Sequence, residues 1–167
     1  WTQKTLTPEN LDFLRALPQG PVAATENVNC VHGSADDEDE YVILSQDALP
    51  LLQRSTRQIT FFGHSHIQCS FLLEEKGRFQ GLLPRYPARS GEQQFELRLK
   101  ADARYLINPG SVGQPRDGDP RAAFLLYDSG EGLITFHRVP YNIAGAQTEI
   151  LAAGLPPRLA ERLAEGR

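Results

Sequence analysis

Methionine is missing from the 167 residues, and the chain begins at Trp1, its only tryptophan. A start that translation would not use makes a fragment of a longer polypeptide the expectation. Cysteine is scarce: Cys30 and Cys69 are the whole supply, too few for the disulfide framework of a small secreted domain, so free thiols are expected. No apolar run approaches the roughly 20 residues that span a bilayer, and the N-terminus lacks the charged-then-apolar pattern of a secretory signal. A cytoplasmic protein with no membrane partner is expected. Nor is there a surplus of positive charge: 17 Lys and Arg against 21 Asp and Glu give a formal net of −4. Without a broad positive field, nucleic acid and anionic lipid are not the expected partners. Internal repeats and low-complexity tracts are also lacking.

What is present suits one domain over residues 1–167, long enough to bury a working core. Thr7, Pro8 and the near-helical spacing of Leu11, Leu14 and Leu17 predict a capped amphipathic helix that ends at Pro18 to Gly20. Val28 to Val31 reads as a short strand running into His32-Gly33. The acidic stretch from Asp36 to Glu40 follows and is too charged to be buried. A brief helix is expected at Ala48 to Leu52, and a β-rich run at Gln58 to Phe62 stopped by Gly63. Cys69 to Glu74 and Arg78 to Leu82 flank Glu75-Lys76-Gly77 as the arms of a hairpin. Phe95, Leu97 and Leu99 alternate with Glu96, Arg98 and Lys100, the period of a strand with one buried face. Further strands are read at Tyr105 to Ile107, Ala122 to Tyr127 and Leu133 to Val139, the last two joined by Asp128-Ser129-Gly130. Asn142 is placed to cap a helix that Gly154 stops, and Pro156-Pro157 to start a last one.

Three of the four histidines sit at two glycine-marked strand ends, Val31-His32-Gly33 and Gly63-His64-Ser65-His66. If the second motif continues its strand, His64 and His66 leave the same face, with roughly 6.5–7 Å between their origins at about 3.3 Å rise per residue. Neutral imidazole is the commonest transition-metal ligand, and a two-metal site needs several ligands converging from different strand ends. His32 would be the third. An ordinary polar role for each histidine is the competing reading; a second motif with its own glycine weighs against it. Two divalent cations bring charge that imidazoles do not neutralise, so carboxylate ligands are required. The run from Asp36 to Glu40 is the only dense local source. It reads as a solvated loop near the mouth, with the alternatives that it screens out large anions or supplies one ligand.

In order and approximate spacing, Val31-His32-Gly33-Ser34, Gly63-His64-Ser65-His66 and the stretch from Asn108-Pro109-Gly110-Ser111 to Arg116-Asp117-Gly118 resemble the calcineurin-like metallophosphoesterases, in particular the small bacterial branch of YfcE-like phosphodiesterases. The likeness extends over nearly the whole chain, including Val139-Pro140-Tyr141 and the helix start from Ala153 to Pro156. It implies an α/β (α+β) fold, a four-layer sandwich of two β-sheets face to face with helices outside, incomplete here at the N-terminus. It also implies hydrolysis of phosphoric esters at a dinuclear centre, with His32 and His64 on one metal and His66 on the other. Manganese, iron or zinc suit such ligands, manganese being preferred. The family further requires an Asp-x-His motif, a Gly-Asp motif with the bridging aspartate and a Gly-Asn-His motif, and none of these is present. The resemblance therefore makes this the C-terminal part of the domain, inactive alone, with the missing segment or another chain needed to complete the site. A small phosphoester or nucleotide-like substrate is expected, because so short a chain offers no extended recognition surface for a protein.

The glycines and prolines of the Asn108 to Gly118 stretch mark sharp turns. The loop either fastens a sheet to the site or brings Asn108, Arg116 or its backbone N–H groups to a substrate phosphate, for which a guanidinium fork is suited. Arg121 is a weaker candidate of the same kind. His137, inside a regular strand, is read as structural, and Cys30 and Cys69 as core thiols rather than zinc ligands. Two rivals stay open: a catalytically inactive phosphoesterase-like scaffold that binds proteins, and a β-rich module with one structural zinc, which would need a fourth ligand.

Overall fold

The computed structural model describes residues 1–167. An N-terminal arm of two helices, α1 (Thr2–Thr5) and α2 (Pro8–Arg15), precedes a hairpin of β1 (Val22–Thr25) and β2 (Val28–Cys30). Thr7 caps α2 by accepting from the Asn10 amide at 3.3 Å, and Pro8 occupies the first turn, where its missing N–H costs nothing. Helix α3 (Ser45–Arg54) leads to β3 (Ile59–Phe61), after which β4 (Cys69–Glu74) and β5 (Phe79–Leu82) form the hairpin that the sequence predicts. Then come β6 (Gln93–Arg98), β7 (Ala103–Asn108), β8 (Ala122–Asp128) and β9 (Leu133–Val139), and α4 (Ile143–Ala152) and α5 (Pro157–Glu165) close the chain. The sequence carried no sign of α1 or of β1. The latter is exposed at every residue, so no apolar alternation marks it.

Two sheets result, one ordered β1-β2-β3-β7-β4-β5 and the other β6-β9-β8. Within the larger, β2, β3 and β7 are parallel neighbours, with Cys30 beside Phe61 and Phe61 beside Ile107. Strand β4 returns antiparallel, placing Cys69 opposite Asn108. The carboxyl ends of three adjacent strands thus finish level on one edge of the sheet.

Each face of the larger sheet carries its own core. On one, Ala48, Leu51 and Leu52 of α3 meet Phe71, Leu73 and Leu106; residues spaced by three and four share one stripe of a helix. The start of α3 is fixed by the Asp47 carboxylate, which accepts from the amides of Leu44 and Ile43 at 2.8 and 3.2 Å. On the opposite face, Ile59, Leu72, Tyr105 and Ile107 pack against Ile134 and Phe136 of the smaller sheet, with Phe95 and Leu97 beside them. Strand β6 alternates between half-buried and exposed positions, as its sequence dictates. Full burial of one large apolar side chain contributes roughly 1.5–3 kcal/mol, so the two layers together supply the main cohesion of the fold. Helices α4 and α5 pack on each other, and the Gly118 amide donates to the Gly166 carbonyl at 3.0 Å, which ties the end of α5 to the loop after β7. The architecture is the expected one of two sheets flanked by helices. No helix is long and apolar enough to cross a membrane.

Candidate metal centre

Ligand sites of open α/β sheets gather beyond the carboxyl ends of parallel strands. All three motif loops emerge there, His32 after β2, Gly63 to His66 after β3, and Pro109 onward after β7. The ladder between the first two continues past the strands: Val31 N donates to Phe61 O at 2.9 Å and Gly63 N to His32 O at 2.8 Å. This brings His32 Nε2 to 3.0 Å from His64 Nδ1, with the rings edge to face and their centroids 4.8 Å apart. One N–H can bridge such a pair. The separation also suits two imidazoles on a single cation, because nitrogens each about 2.1 Å from one ion in neighbouring positions at a right angle stand about 3.0 Å apart.

The expectation that His64 and His66 are alternate residues of an extended strand is corrected. Strand β3 ends at Phe61, and both histidines have left-handed backbone, with φ of 60° and 59°. A residue with a Cβ pays roughly 1–2 kcal/mol for that conformation, strain that persists only where the surroundings impose it. Turned this way, the His66 ring meets the loop after β7 and its Nδ1–H donates to the Gln114 carbonyl at 2.8 Å. The bond fixes the tautomer and leaves the Nε2 lone pair for a ligand. Burial lowers the pKa of His66, helped by the charges of Arg116, His64 and His32 and opposed by the bond to Gln114. A neutral, lone-pair-bearing ring is favoured.

Asn108, expected at a substrate, is placed otherwise. Its side chain is fully buried, Nδ2 donating to Gly63 O at 2.9 Å and Ser65 Oγ at 3.0 Å, and Oδ1 accepting from Gly110 N at 2.9 Å. Arg116 is half-buried beside His66; its Nε and Nη2 donate to Gln114 Oε1 at 3.2 and 3.0 Å, while Nη1 makes no hydrogen bond within the protein. Arg121 is turned inward and spent on Asp119, with Nη2 to Oδ2 at 2.5 Å, and on the Gly91 carbonyl. His137 is buried against Phe124, ring centroids 4.6 Å apart, with neither ring nitrogen hydrogen-bonded within the protein. Cys69 is the core thiol expected, pushed up to about 12 by burial, whereas the same expectation for Cys30 is corrected, since it is exposed.

The acidic stretch lines one cleft together with His32, through Asp36, Asp37 and Glu38. Asp36 pairs with Arg54 at 2.5 Å, the Asp37 carboxylate accepts from the Asp39 amide at 2.9 Å, and no three His, Cys, Asp or Glu side chains converge as a metal-binding group. The loop from Ala35 to Asp39 is solvated. His32 and His64 stand as two neighbouring nitrogen donors and His66 keeps its Nε2 free; donors of this kind suit manganese, iron or zinc, and no carboxylate joins them in a group of three. Two features escaped sequence reasoning. The ring of Tyr41, half exposed, lies 4.1 Å from that of His64. Asp117 pairs with Arg138, and Tyr86 hydrogen-bonds Gln68 at 2.6 Å while lying under both Arg121 and Arg138. Neither has a local signal, since the partners are distant in sequence and set by no period.

No family model matches the chain. Over its whole length it is 34% identical to an uncharacterized protein of Methanocaldococcus jannaschii, of which it spans 64%. Its fold matches the crystal structure of a metallophosphoesterase from Sphaerobacter thermophilus with a TM-score of 0.85 and 33% identity, covering 100% of this chain and 65% of that one. A hypothetical protein from Pyrococcus horikoshii shares the fold at a TM-score of 0.69 and 18% identity, over 99% of this chain and 57% of that one. The chain thus spans 57–65% of the length of these three proteins, and over that span it has a metallophosphoesterase fold.

Proposed function

We propose that this chain is the C-terminal portion, folded as one domain, of a calcineurin-like metallophosphoesterase in the manner of the YfcE-like branch, and that it contributes the histidine ligands of a metal-dependent phosphoric ester hydrolase. One observation carries the reading: His32 Nε2 and His64 Nδ1 meet at 3.0 Å beyond the carboxyl ends of two adjacent parallel strands. In this reading His32 and His64 would hold one divalent ion and His66 the other through Nε2. The carboxylate ligands come from a segment of the whole protein outside this sequence or from another chain. Two bound cations, manganese preferred over iron or zinc, would supply charge neutralisation at a phosphoryl group and water activation near neutral pH. The chain's own residues hold the ring orientations, keep His66 neutral and offer Arg116 Nη1 as a donor toward a phosphate oxygen.

A small or nucleotide-like phosphodiester is the proposed substrate. The exposed ring of Tyr41 beside His64 supports a planar group next to the phosphate. The test is hydrolysis of bis-p-nitrophenyl phosphate by the full-length protein loaded with Mn²⁺. The wild type is expected to turn over and the His64→Ala variant to lose at least about 10³-fold, a loss of transition-state stabilisation on the order of 4 kcal/mol. Equal rates in the two proteins refute the assignment. A protein that binds Mn²⁺ and hydrolyses no phosphoester is instead the scaffold.

A further inference from the structure

Two residues of the histidine loop are left-handed, and neither is glycine. The local sequence does not favour that shape, so a contact from elsewhere must impose it. Ser65, between them, is buried. We propose that Asn108 is a positioning residue, the clamp that sets the backbone of the histidine loop so that His64 meets His32 while His66 meets the Gln114 carbonyl. The purpose of the clamp rests on the metal reading above; its geometry does not.

Three bonds define it. One Asn108 N–H holds the Gly63 carbonyl where the loop begins, and the other holds Ser65 Oγ midway between the two histidines. Its Oδ1 takes the Gly110 amide, in the turn that leads on to Gln114. One carboxamide at the end of β7 therefore joins the two segments that orient His64 and His66. An amide supplies two donors and an acceptor on one plane; aspartate keeps the shape and the acceptor but loses both donors. The ends of the loop have separate anchors, Gly63 N to His32 O at 2.8 Å and Arg116 N to His66 O at 3.2 Å. Removal of the amide should therefore loosen the middle of the loop and leave the sheet intact.

The test uses the full-length protein with Asn108→Ala, Asn108→Asp and, as a control, Tyr105→Phe. The control removes a hydrogen bond from the opposite end of the same strand, where the buried Tyr105 hydroxyl accepts from the Lys100 amide at 2.8 Å. In metal-free protein, amide hydrogen exchange at residues 63–66 is expected to quicken by about tenfold or more in both Asn108 variants and to stay unchanged in Tyr105→Phe. Mn²⁺ affinity is expected to fall by about 10–100-fold in the Asn108 variants alone, at a Tm no lower than that of the control. Unchanged exchange at 63–66 in the Asn108 variants overturns the clamp whatever the metal titration gives, and so does an equal loss of Mn²⁺ affinity in Tyr105→Phe. If the wild type binds no Mn²⁺, the metal reading fails while the exchange data still decide the clamp. Should Asn108→Ala fail to fold, Asn108→Asp, which keeps the bond to Gly110, carries the same comparison.

Discussion

Each histidine motif contains a glycine, and in the sequence Gly33 and Gly63 look equivalent. The structure separates them. A Cβ at position 33 would stand 2.5 Å from Glu38 O, 2.7 Å from Glu40 O and 2.9 Å from Asp37 O, whereas one at position 63 would meet only His32 O, at 3.6 Å. All three oxygens around Gly33 are backbone, so Gly33→Ala must push a stretch of main chain aside. That stretch is pinned, with Ser34 N donating to Asp37 O at 2.8 Å and the Asp36 and Asp37 amides donating to Ser34 Oγ at 3.2 and 3.0 Å. Losing two or three such bonds at about 0.5–1.5 kcal/mol each, or retaining them with the overpacking penalty of about 1–3 kcal/mol, puts the cost near 2–3 kcal/mol. Gly63→Ala makes an ordinary contact and restricts the unfolded chain, an effect that stabilises by about 0.4–1 kcal/mol where the native backbone tolerates the residue. Urea unfolding of the two variants in EDTA is therefore expected to separate them by about 2–4 kcal/mol, with Gly33→Ala the weaker. If Gly33→Ala lies within about 0.5 kcal/mol of wild type, or Gly63→Ala is equally damaging, the steric argument is wrong.

Cysteine labelling probes the core on the α3 side: a chromogenic disulfide reagent at pH 8 should titrate Cys30 alone in native protein, because the Cys69 thiol is buried and held at about 12, and both thiols after denaturation. Two fast equivalents in the native state would contradict the packing of Cys69 beneath the site. Acid stability probes the Asp119–Arg121 pair. Burial alone would raise the Asp119 pKa, but the hydrogen bonds from Arg121 outweigh it and hold the carboxyl below its usual value. A depressed carboxyl stabilises the fold above its unfolded pKa of about 3.9 and loses that contribution as pH falls through the folded value. The stability gap between wild type and Asp119→Asn should therefore be full at pH 7 and narrow as pH falls below about 4; a gap that stays constant on acidification contradicts the pairing.

Local signals carried much of the fold. The alternation from Phe95 to Lys100 announced β6, the Thr7-Pro8 start announced α2, and the hairpin turns were legible because their chemistry lies within a few residues. The strand of the second histidine motif was read one residue long at each end, at Gln58 and Phe62, against β3 from Ile59 to Phe61, and its continuation through the histidines was the error. A left-handed turn at two non-glycine residues has no sequence signature, because it is imposed from β7 by a buried Asn108. The order of motifs along the chain pointed to histidines acting together and left the Asn108 loop open between fastening a sheet to the site and touching a substrate; Asn108, buried and bonded to Gly63 and Ser65, takes the first part, and Arg121 is buried on Asp119. What the sequence by itself determined is where most strands and helices lie, α1 and β1 excepted, and that three imidazoles sit just past strand ends, since periodicity and turn chemistry act over a handful of residues. Only the tertiary structure decided that His32 and His64, 32 residues apart, meet at 3.0 Å, that His66 faces the Gln114 carbonyl and that the acidic loop folds back around Gly33. Those outcomes depend on the parallel register of β2, β3 and β7, which is set by packing between residues far apart in the chain.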